Sequence, residues 1–304
     1  MLPLLCALSA CTDKSINTLS IGTFNWIGYQ PFYIAKELGF YKDSHIKLVE
    51  LNNSTDIMYA LSHRQLDGAT LTLDEVITLL HDGIDLSVVL IVDISNGADA
   101  LLSKPGFDSM TTLTGKRIAV EYTAVGAMLL HAALNKHDMK MNEIQIVHCA
   151  SDMHLDCYKE NDGIVTFEPI KTKLVNQGAN VVFDSSEVSG RIVDVLVMHN
   201  EIIEEKKDVI KKLIAGYYDA LEYIVEQPDE ANRIIQKRTK LELEEIRLMF
   251  NGIEIPGRLG NPSLISSSEL KYNALLLNHI MKNNGFIKNL VSMEKLFTDK
   301  LLPE

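Results

Sequence analysis

The chain has 304 residues, of which 46% are hydrophobic and 23% are charged, and this composition excludes a disordered or fibrous protein. Because single domains cluster near ~100–150 residues, the length suggests two lobes. The 41 acidic and 29 basic residues leave a net charge of −12, so the surface repels nucleic-acid phosphates and anionic lipid headgroups, and no nucleic-acid partner is expected.

The first 17 residues have the pattern of a bacterial lipoprotein leader. A short apolar run, MLPLLCALSA, ends in small residues directly before Cys11, and the polar stretch TDKSINT follows. Residues 8–11 resemble a lipobox, in which the cysteine thiol becomes the attachment point of a diacylglyceryl group. We therefore expect residues 1–17 to be signal and tether, with a lipid at Cys11 anchoring the protein in the periplasm or at the cell surface. Most leaders carry Lys or Arg before the apolar run, and this sequence has neither there. The alternative to a leader is a partly apolar terminus.

From residue 18 onward, short β-branched runs alternate with amphipathic stretches, a pattern typical of βα units on a mostly parallel sheet. The first series of predicted strands consists of LSIGTF, HIKLVEL, GATLT and LSVVLIVDIS. The predicted helices between them are PFYIAKELGFY, DIMYALSHRQ and DEVITLLHDG, and Ser54 or Thr55 is the expected N-cap of the second. The fourth strand is almost wholly apolar, as expected of a strand covered on both faces.

The rhythm changes at GADALLSKPGFDSMTTLTG, the expected crossover into a second lobe. The strands that follow are KRIAVEY, EIQIVHCA, DGIVTF and NVVFDSS, then RIVDVLVMH leads the chain back and the remainder from Glu201 is helical. We predict an α/β fold of two lobes, each a mostly parallel sheet flanked by helices, joined by two hinge crossings that permit closure over a ligand. Lobe 1 comprises residues 18–100 and 196–304 with the C-terminal helices, and lobe 2 comprises residues 101–195.

Ligands of open parallel sheets lie beyond the carboxyl ends of the strands. Trp26, the only tryptophan, predicts a flat aromatic wall there, and the alternative is a ring that plugs its own loop. The helix at Thr123 opens with small residues whose amides can face an acceptor, although an ordinary N-cap explains the same pattern. The candidate ligand-binding residues are Asn25, Trp26, Tyr29, Thr72, Asp74, Ser95, Asn96, Glu121, Thr123, Phe167 and Glu168.

The charges of these loops favour a zwitterionic, cationic or neutral solute. None of the loop tips carries Arg or Lys, so the charged fork of a tight phosphate or sulfonate site is missing. Carboxylates beside aromatic rings can hold an amine by ion pairing and cation–π contact. The alternative is that these acids cap helices. The acids concerned are Asp74, Asp93, Glu121 and Glu168.

Catalysis, metals and cofactors find little support. His148 and Cys149 are adjacent on a predicted strand and point to opposite faces, so they cannot form a catalytic pair. No zinc-binding histidine spacing or glycine-rich phosphate loop occurs. Cleavage before Cys11 would leave Cys149 and Cys157 as the cysteines in the body of the protein. They either form a disulfide or remain two half-buried thiols, and the sequence leaves both possibilities open.

Six segments in order resemble the nitrate/sulfonate/taurine class of solute-binding proteins of ABC importers: NWIGYQPFYIAKELGFY, DGATLTLDE, VVLIVDISNGADALL, GKRIAVEYTAVGAMLLHAAL, TFEPI and FDSSEVSGRIVDVLVMH. The resemblance implies a type II periplasmic-binding-protein fold with the ligand in the interlobe cleft and an ABC permease as partner. It also implies binding roles for the turns at Asn25–Trp26, Thr72–Asp74 and Ser95–Asn96 and for the helix start at Thr123. The missing basic residues count against nitrate or sulfonate as the ligand.

We therefore expect a monomeric, lipid-anchored receptor that closes around a small molecule and delivers it to a permease, without catalysis. One alternative is a sensory subunit that reports the same ligand to a membrane signalling protein. Another is an enzyme that acts on a small amine or pyrimidine-like substrate, with Glu121 or Glu168 as the base.

Overall fold

The computed structural model describes residues 18–121, 124–188 and 190–303. The expected lipidation site at Cys11 and the expected helix start at Thr123 lie outside these residues. None of the helices in the described ranges is long and apolar enough to cross a membrane.

Strands and helices alternate along the described chain, which confirms the predicted α/β class. The strands are β1 (Leu19–Thr23), β2 (Ile46–Glu50), β3 (Gly68–Thr72), β4 (Leu86–Ser95), β5 (Asp99–Ser103), β6 (Arg117–Val120), β7 (Gln145–His148), β8 (Gly163–Phe167), β9 (Asn180–Asp184), β10 (Val193–His199) and β11 (Ile253–Glu254). The helices are α1 (Gln30–Glu37), α2 (Ser54–Ser62), α3 (Leu73–His81), α4 (Ala124–Lys136), α5 (His154–Glu160), α6 (Ile170–Asn176), α7 (Asn200–Glu205), α8 (Lys207–Glu226), α9 (Pro228–Thr239), α10 (Leu243–Phe250), α11 (Gly260–Ile265) and α12 (Ser268–Asn283). Short 3₁₀ helices connect them at Ile27–Tyr29, Met110–Leu113, Met141–Glu143, Ser151–Met153 and Ser185–Val188.

The strands form two sheets, one for each lobe. Sheet A has the order β11-β4-β10-β3-β1-β2, and sheet B has the order β7-β6-β8-β5-β9. Within each sheet the βα units pair in parallel: β1 with β2 and β3, and β6 with β7 and β8. The strands next to the crossings run antiparallel to their neighbours, namely β10 in sheet A and β5 in sheet B. Each sheet is therefore a parallel βα series with an antiparallel hinge strand inserted.

The chain passes between the sheets twice. It leaves sheet A after Ser95 and enters sheet B at Asp99, then leaves sheet B after Asp184 and re-enters sheet A at Val193. The predicted lobe boundaries at 100/101 and 195/196 fall inside β5 and β10, so the sheets favour divisions a few residues earlier. Glycine and turn residues indicated roughly where the first crossing lies. The composition of the segments between the sheets does not fix the exact residue at which one lobe ends.

The larger core lies in lobe 1, where the C-terminal helices cover sheet A. β4 is buried along nearly its whole length, as its apolar run predicts. α8 packs on α1, and the rings of Phe32 and Tyr217 lie 4.6 Å apart at that contact. The end of the chain is tied to β4, since the Val88 amide donates to Leu296 O at 2.7 Å.

At two places the structure corrects the sequence-based prediction or decides between its alternatives. Asn53, rather than Ser54 or Thr55, is the N-cap of α2, because its Oδ1 accepts from the Asp56 amide at 2.9 Å while the next residues are already helical. Cys149 and Cys157 form a disulfide, with their Cα atoms 6.4 Å apart, so the alternative of two free thiols is wrong.

Candidate functional site

A cavity of about 40 Å³ lies between the lobes, at the carboxyl ends of β1, β3 and β8, where the topology predicted a ligand. Lobe 1 and the crossings contribute Phe24, Trp26, Ser54, Thr72, Glu75, Ile192 and Asp194, and lobe 2 contributes Asp99, Glu121, Val125, Gly126, His154, Val165, Thr166 and Phe167. A larger crevice of about 540 Å³ lies between α4 and α12, but helix side chains line it rather than strand ends. Convergence of both sheets makes the smaller cavity the candidate site.

Aromatic rings from both lobes meet at the cavity. Phe167, at the end of β8, makes edge contacts with Trp26 and Phe24, with ring centroids 5.9 and 6.0 Å apart. Because these contacts join lobe 2 to lobe 1, Phe167 holds the two lobes together across the cleft. Its ring also contacts His154 edge to face at 5.6 Å. The aromatic wall expected at Trp26 is therefore completed by a ring from the opposite lobe.

Trp26 also anchors its own loop, so both interpretations of this residue have structural support. Its ring is buried, and its Nε1 donates to Asp93 Oδ2 at 3.0 Å. The loop approaches Asp93 so closely that a Cβ on Gly28 would lie 1.8 Å from the same carboxylate oxygen. Tyr29 does not line the cavity, because its hydroxyl donates to Asp194 Oδ1 behind it.

Several buried carboxyl groups line the cavity or lie next to residues that line it. Burial raises the pKa of Asp93 and Asp74 to about 8 and that of Asp99 to about 6. Burial, followed by the charge of Asp93, raises the pKa of Asp194 well above its usual value, and burial raises that of Glu75. The cause is mainly the loss of water around the charged form, so a cation that entered the cavity would stabilise the ionised acids.

Several of these acids lack a full set of partners. Among the described residues, Asp93 Oδ1, Asp99 Oδ2 and Asp74 Oδ2 are buried without a hydrogen bond. Such atoms cost free energy unless something donates to them, and they are rare in finished protein interiors. Asp99 lines the cavity, so its free oxygen is open to a ligand donor. No Lys or Arg occurs among the described residues that line the cavity.

The structure brings together four of the expected site residues: Trp26, Thr72, Glu121 and Phe167 line the cavity. Asp74 is buried beside Glu75 and does not line it. Thr72 begins α3, and its amide donates to Glu75 Oε2 at 3.0 Å.

Three other expected residues make structural contacts near the hinge and at a helix. Ser95 Oγ lies 2.7 Å from Ser185 Oγ, which links the two crossings. Asn96 donates to Glu254 at 2.7 Å on the outer side. Glu168 caps α6, because its carboxylate accepts from the Thr172 amide at 3.0 Å and hydroxyl at 2.9 Å.

Asn25 is exposed and faces α9 instead of the cavity. Its Oδ1 accepts from Arg238 Nη2 at 3.3 Å. Arg238 also binds Glu50 through two contacts of 2.8 Å and lies 3.9 Å over the Tyr33 ring. This end of the turn is held by a C-terminal helix whose position the strand pattern did not indicate.

Sequence reasoning missed four lining residues that define the chemistry of the site: Glu75, Asp99, His154 and Asp194. Glu75 and His154 belong to helices, and Asp99 and Asp194 lie at the beginnings of strands, whereas the search was confined to residues after strands. Asp194 directly follows the second crossing. Its position beside a hinge could have indicated from the sequence that it lies near the ligand.

A family model described as NMT1/THI5 like matches residues 26–231, which is more than half of the chain. The chain belongs to the NMT1/THI5-like family. Among curated proteins, a binding protein of Brucella abortus is 25% identical to this chain over 154 residues, which are 48% of this chain and 47% of that protein. The taurine-binding periplasmic protein of Escherichia coli is 23% identical over 185 residues, 59% of this chain and 58% of that protein. The chain thus spans about half the length of the curated relatives it matches.

Among solved structures, the alkanesulfonate-binding protein SsuA from Xanthomonas axonopodis pv. citri bound to MOPS is similar with a TM-score of 0.79. Its sequence is 13% identical, and the match covers 92% of this chain and 98% of that chain. At this identity the likeness shows the fold alone. The two-lobed periplasmic-binding-protein fold is thereby confirmed. The family match and the likeness to the taurine-binding periplasmic protein confirm the resemblance to the nitrate/sulfonate/taurine class.

Proposed function

We propose that this protein is an extracytoplasmic solute-binding protein that holds a small organic cation, or the cationic end of a zwitterion, between its lobes and delivers it to an ABC importer. The observation that carries the proposal is the acidic character of the cavity wall. Glu75, Asp99 and Asp194 line it, and no described lining residue is Lys or Arg. Family membership and the names of the relatives support a role in solute binding.

Electrostatics decide between a cation and an anion. With an effective dielectric constant of ~20, a unit charge about 4 Å from a carboxylate gains or loses about 4 kcal/mol according to its sign. A sulfonate beside Asp99 and Asp194 would be repelled when these acids are ionised, and no described lining residue carries a compensating Arg or Lys. An ammonium or guanidinium group would donate to Asp99 Oδ2, which has no partner among the described residues.

Aromatic rings supply the second part of the recognition. Trp26, Phe24 and Phe167 surround the same cavity, and cations bind favourably against aromatic faces when water is excluded. Because Phe167 contacts lobe 1, entry of a solute requires the hinge to open and release to the importer requires it to open again.

Attachment to the membrane follows from the lipobox-like residues 8–11, with Cys11 as the lipidated residue and the folded part acting as a monomer. Mass spectrometry of the protein purified from membranes tests this part. We expect an N-terminal diacylglyceryl-cysteine at Cys11. An unmodified thiol at Cys11 would remove the anchor from the proposal and leave the solute site untouched.

A thermal-shift screen tests the ligand class. The cations agmatine, choline and benzamidine are compared with the anions methanesulfonate, isethionate and nitrate, since a ligand at a hundredfold excess over its Kd stabilises by about 2.7 kcal/mol. We expect stabilisation by at least one of the cations and by none of the anions. Asp99→Asn should reduce the shift, whereas the matched variant Asp156→Asn, at an exposed position in α5, should retain it. Stabilisation by the anions alone would contradict the proposal.

A further inference from the structure

His154 reaches the cavity from a short helix at the edge of lobe 2. α5 has seven residues and no side-chain hydrogen bond at its N-cap. The preceding strand, β7, is at the edge of sheet B and is largely exposed. Helices of this length are not stable by themselves in water, so the position of α5 depends on tertiary contacts.

One of the tertiary contacts that hold α5 is covalent, the disulfide between Cys149 and Cys157. Cys149 follows β7 directly, and its amide donates to Val120 O at 3.0 Å, which ties it to β6. Cys157 lies on α5, eight residues further on, so the bridge encloses His154. The surrounding core is small, and its large buried side chains are Leu102, Tyr158, Ile164 and Leu174. Tyr158, on α5 itself, donates to Ser103 O at 3.0 Å, so the bridge acts together with this contact in holding α5.

The imidazole of His154 is poised for a ligand. Its ring is 1% exposed, its Nδ1 lies 2.9 Å from Thr166 Oγ1, and its Nε2 is buried with no partner among the described residues. Burial lowers the pKa of His154 to about 4, so the ring is neutral at pH 7. A neutral ring offers a hydrogen bond inside an acidic cavity without repelling a cation.

We propose that His154 contacts the ligand through Nε2 and that the Cys149–Cys157 disulfide positions it for this contact. The ligand contact rests on the proposed function, whereas the positioning does not. His154 therefore adds a specificity-determining group to the acids and aromatic rings, and the disulfide acts on affinity through it.

The positioning is tested without ligand by NMR of isotope-labelled histidine rings. In the oxidised protein we expect the His154 ring to keep its neutral-form signals from about pH 8 to pH 5, and in Cys149→Ser/Cys157→Ser to titrate near the ordinary histidine value of about 6.5. Should the variant not fold, the wild-type protein is reduced with dithiothreitol, which gives up two electrons and two protons to form the two thiols and becomes the cyclic disulfide. A His154 titration unchanged by both treatments would overturn the positioning role.

The ligand contact is tested with agmatine, choline and benzamidine as probes. We expect His154→Ala and the double cysteine variant each to lower the affinity for whichever cation binds by about tenfold. The triple variant should bind no more weakly than His154→Ala, because the effects of residues that act as one unit are not additive. Phe183→Leu, which perturbs the buried core of lobe 2 at its other edge, is the control and should retain affinity. Additive losses, or full affinity in His154→Ala, would overturn the contact. If no cation binds the wild-type protein, the proposed function fails while the ring titration still decides the positioning.

Discussion

Asp93 and Asp194 lie directly opposite each other on the antiparallel strands β4 and β10, which carry the chain out of lobe 1 and back into it. Both side chains are buried, and each is held by an aromatic donor, Trp26 for Asp93 and Tyr29 for Asp194. Two carboxyl groups in this arrangement cannot both ionise easily, so they retain protons at a pH where free aspartates have none.

The stability of the empty protein should therefore fall as the pH rises from about 6.5 to 8. The pKa of Asp93 is raised to about 8, so the folded state binds protons that the unfolded state has already lost, and this stabilisation disappears as the pH passes through the folded pKa. Each such proton contributes at most about 1.4 kcal/mol per pH unit. Urea unfolding across this range measures the slope, which is read above about pH 7.5, where histidines of the unfolded chain with a pKa near 6.5 are mostly neutral. Asp93→Asn should make the slope shallower, while Asp74, whose pKa is also raised to about 8, keeps part of it. An equally steep fall in that variant would refute the assignment.

Cation binding should strengthen with rising pH. Ionised Asp99 attracts a cation, and its pKa of about 6 places the change between about pH 5 and pH 7. Calorimetry of agmatine, choline and benzamidine in buffers of different ionisation enthalpy should show release of protons on binding by whichever cation binds. The effect should be smaller in Asp99→Asn, and proton uptake by the wild-type protein would contradict this account.

Gly28→Ala should destabilise the protein and disturb the only tryptophan. The added Cβ would lie 1.8 Å from Asp93 Oδ2 and 2.7 Å from Trp26 Nε1, so the loop has to move. We expect a loss of about 1–3 kcal/mol in the free energy of unfolding and a changed Trp26 fluorescence spectrum. Gly257→Ala is the matched control, since nothing lies within 4 Å of its added Cβ. Equal stability of the two variants would show that the close approach is not a constraint.

Phe167→Leu should shift the empty protein towards a more open form. The ring of Phe167 contacts Phe24 and Trp26 of the other lobe, and the smaller side chain loses both aromatic contacts, worth about 0.5–1.5 kcal/mol each. Small-angle X-ray scattering should report a larger radius of gyration than in the wild-type protein. Phe183→Leu, in the core of lobe 2, should leave the radius unchanged. A compact Phe167→Leu variant would mean that other contacts hold the lobes.

Arg238→Lys should reduce stability without changing ligand affinity. The guanidinium group makes two contacts of 2.8 Å with Glu50 and lies 3.9 Å over Tyr33, which a lysine cannot reproduce. We expect a loss of about 1–2 kcal/mol in urea unfolding. Arg247→Lys, at an exposed pair with Asp229, should cost less than about 0.5 kcal/mol. Loss of ligand binding in Arg238→Lys would indicate that Asn25, which Arg238 contacts, takes part in ligand binding after all.

The positions of the βα units followed from local pattern alone. Apolar alternation and β-branched runs predicted β1 to β4 and β6 to β10, because strands in a covered sheet need such residues whatever their neighbours are. The carboxyl-end rule then placed Trp26, Thr72 and Phe167 at one site, since it depends only on strand direction.

Local pattern could not assign the acids correctly. Glu168 and Asp99 are both acidic residues beside a β-strand, yet the first caps α6 and the second lines the cavity. The difference arises from which helix or opposite lobe lies within hydrogen-bonding distance of each side chain.

The amino-acid sequence by itself determined two βα lobes, the strand ends that face a common cleft and an acidic, aromatic character for that cleft, because these depend on residue type and periodicity. Only the tertiary structure decided that Asp93 faces Asp194, that Cys149 bonds Cys157 and that His154 enters the cavity. Those relationships depend on distances between residues that the chain brings together only after both sheets have formed and the hinge has set one lobe against the other.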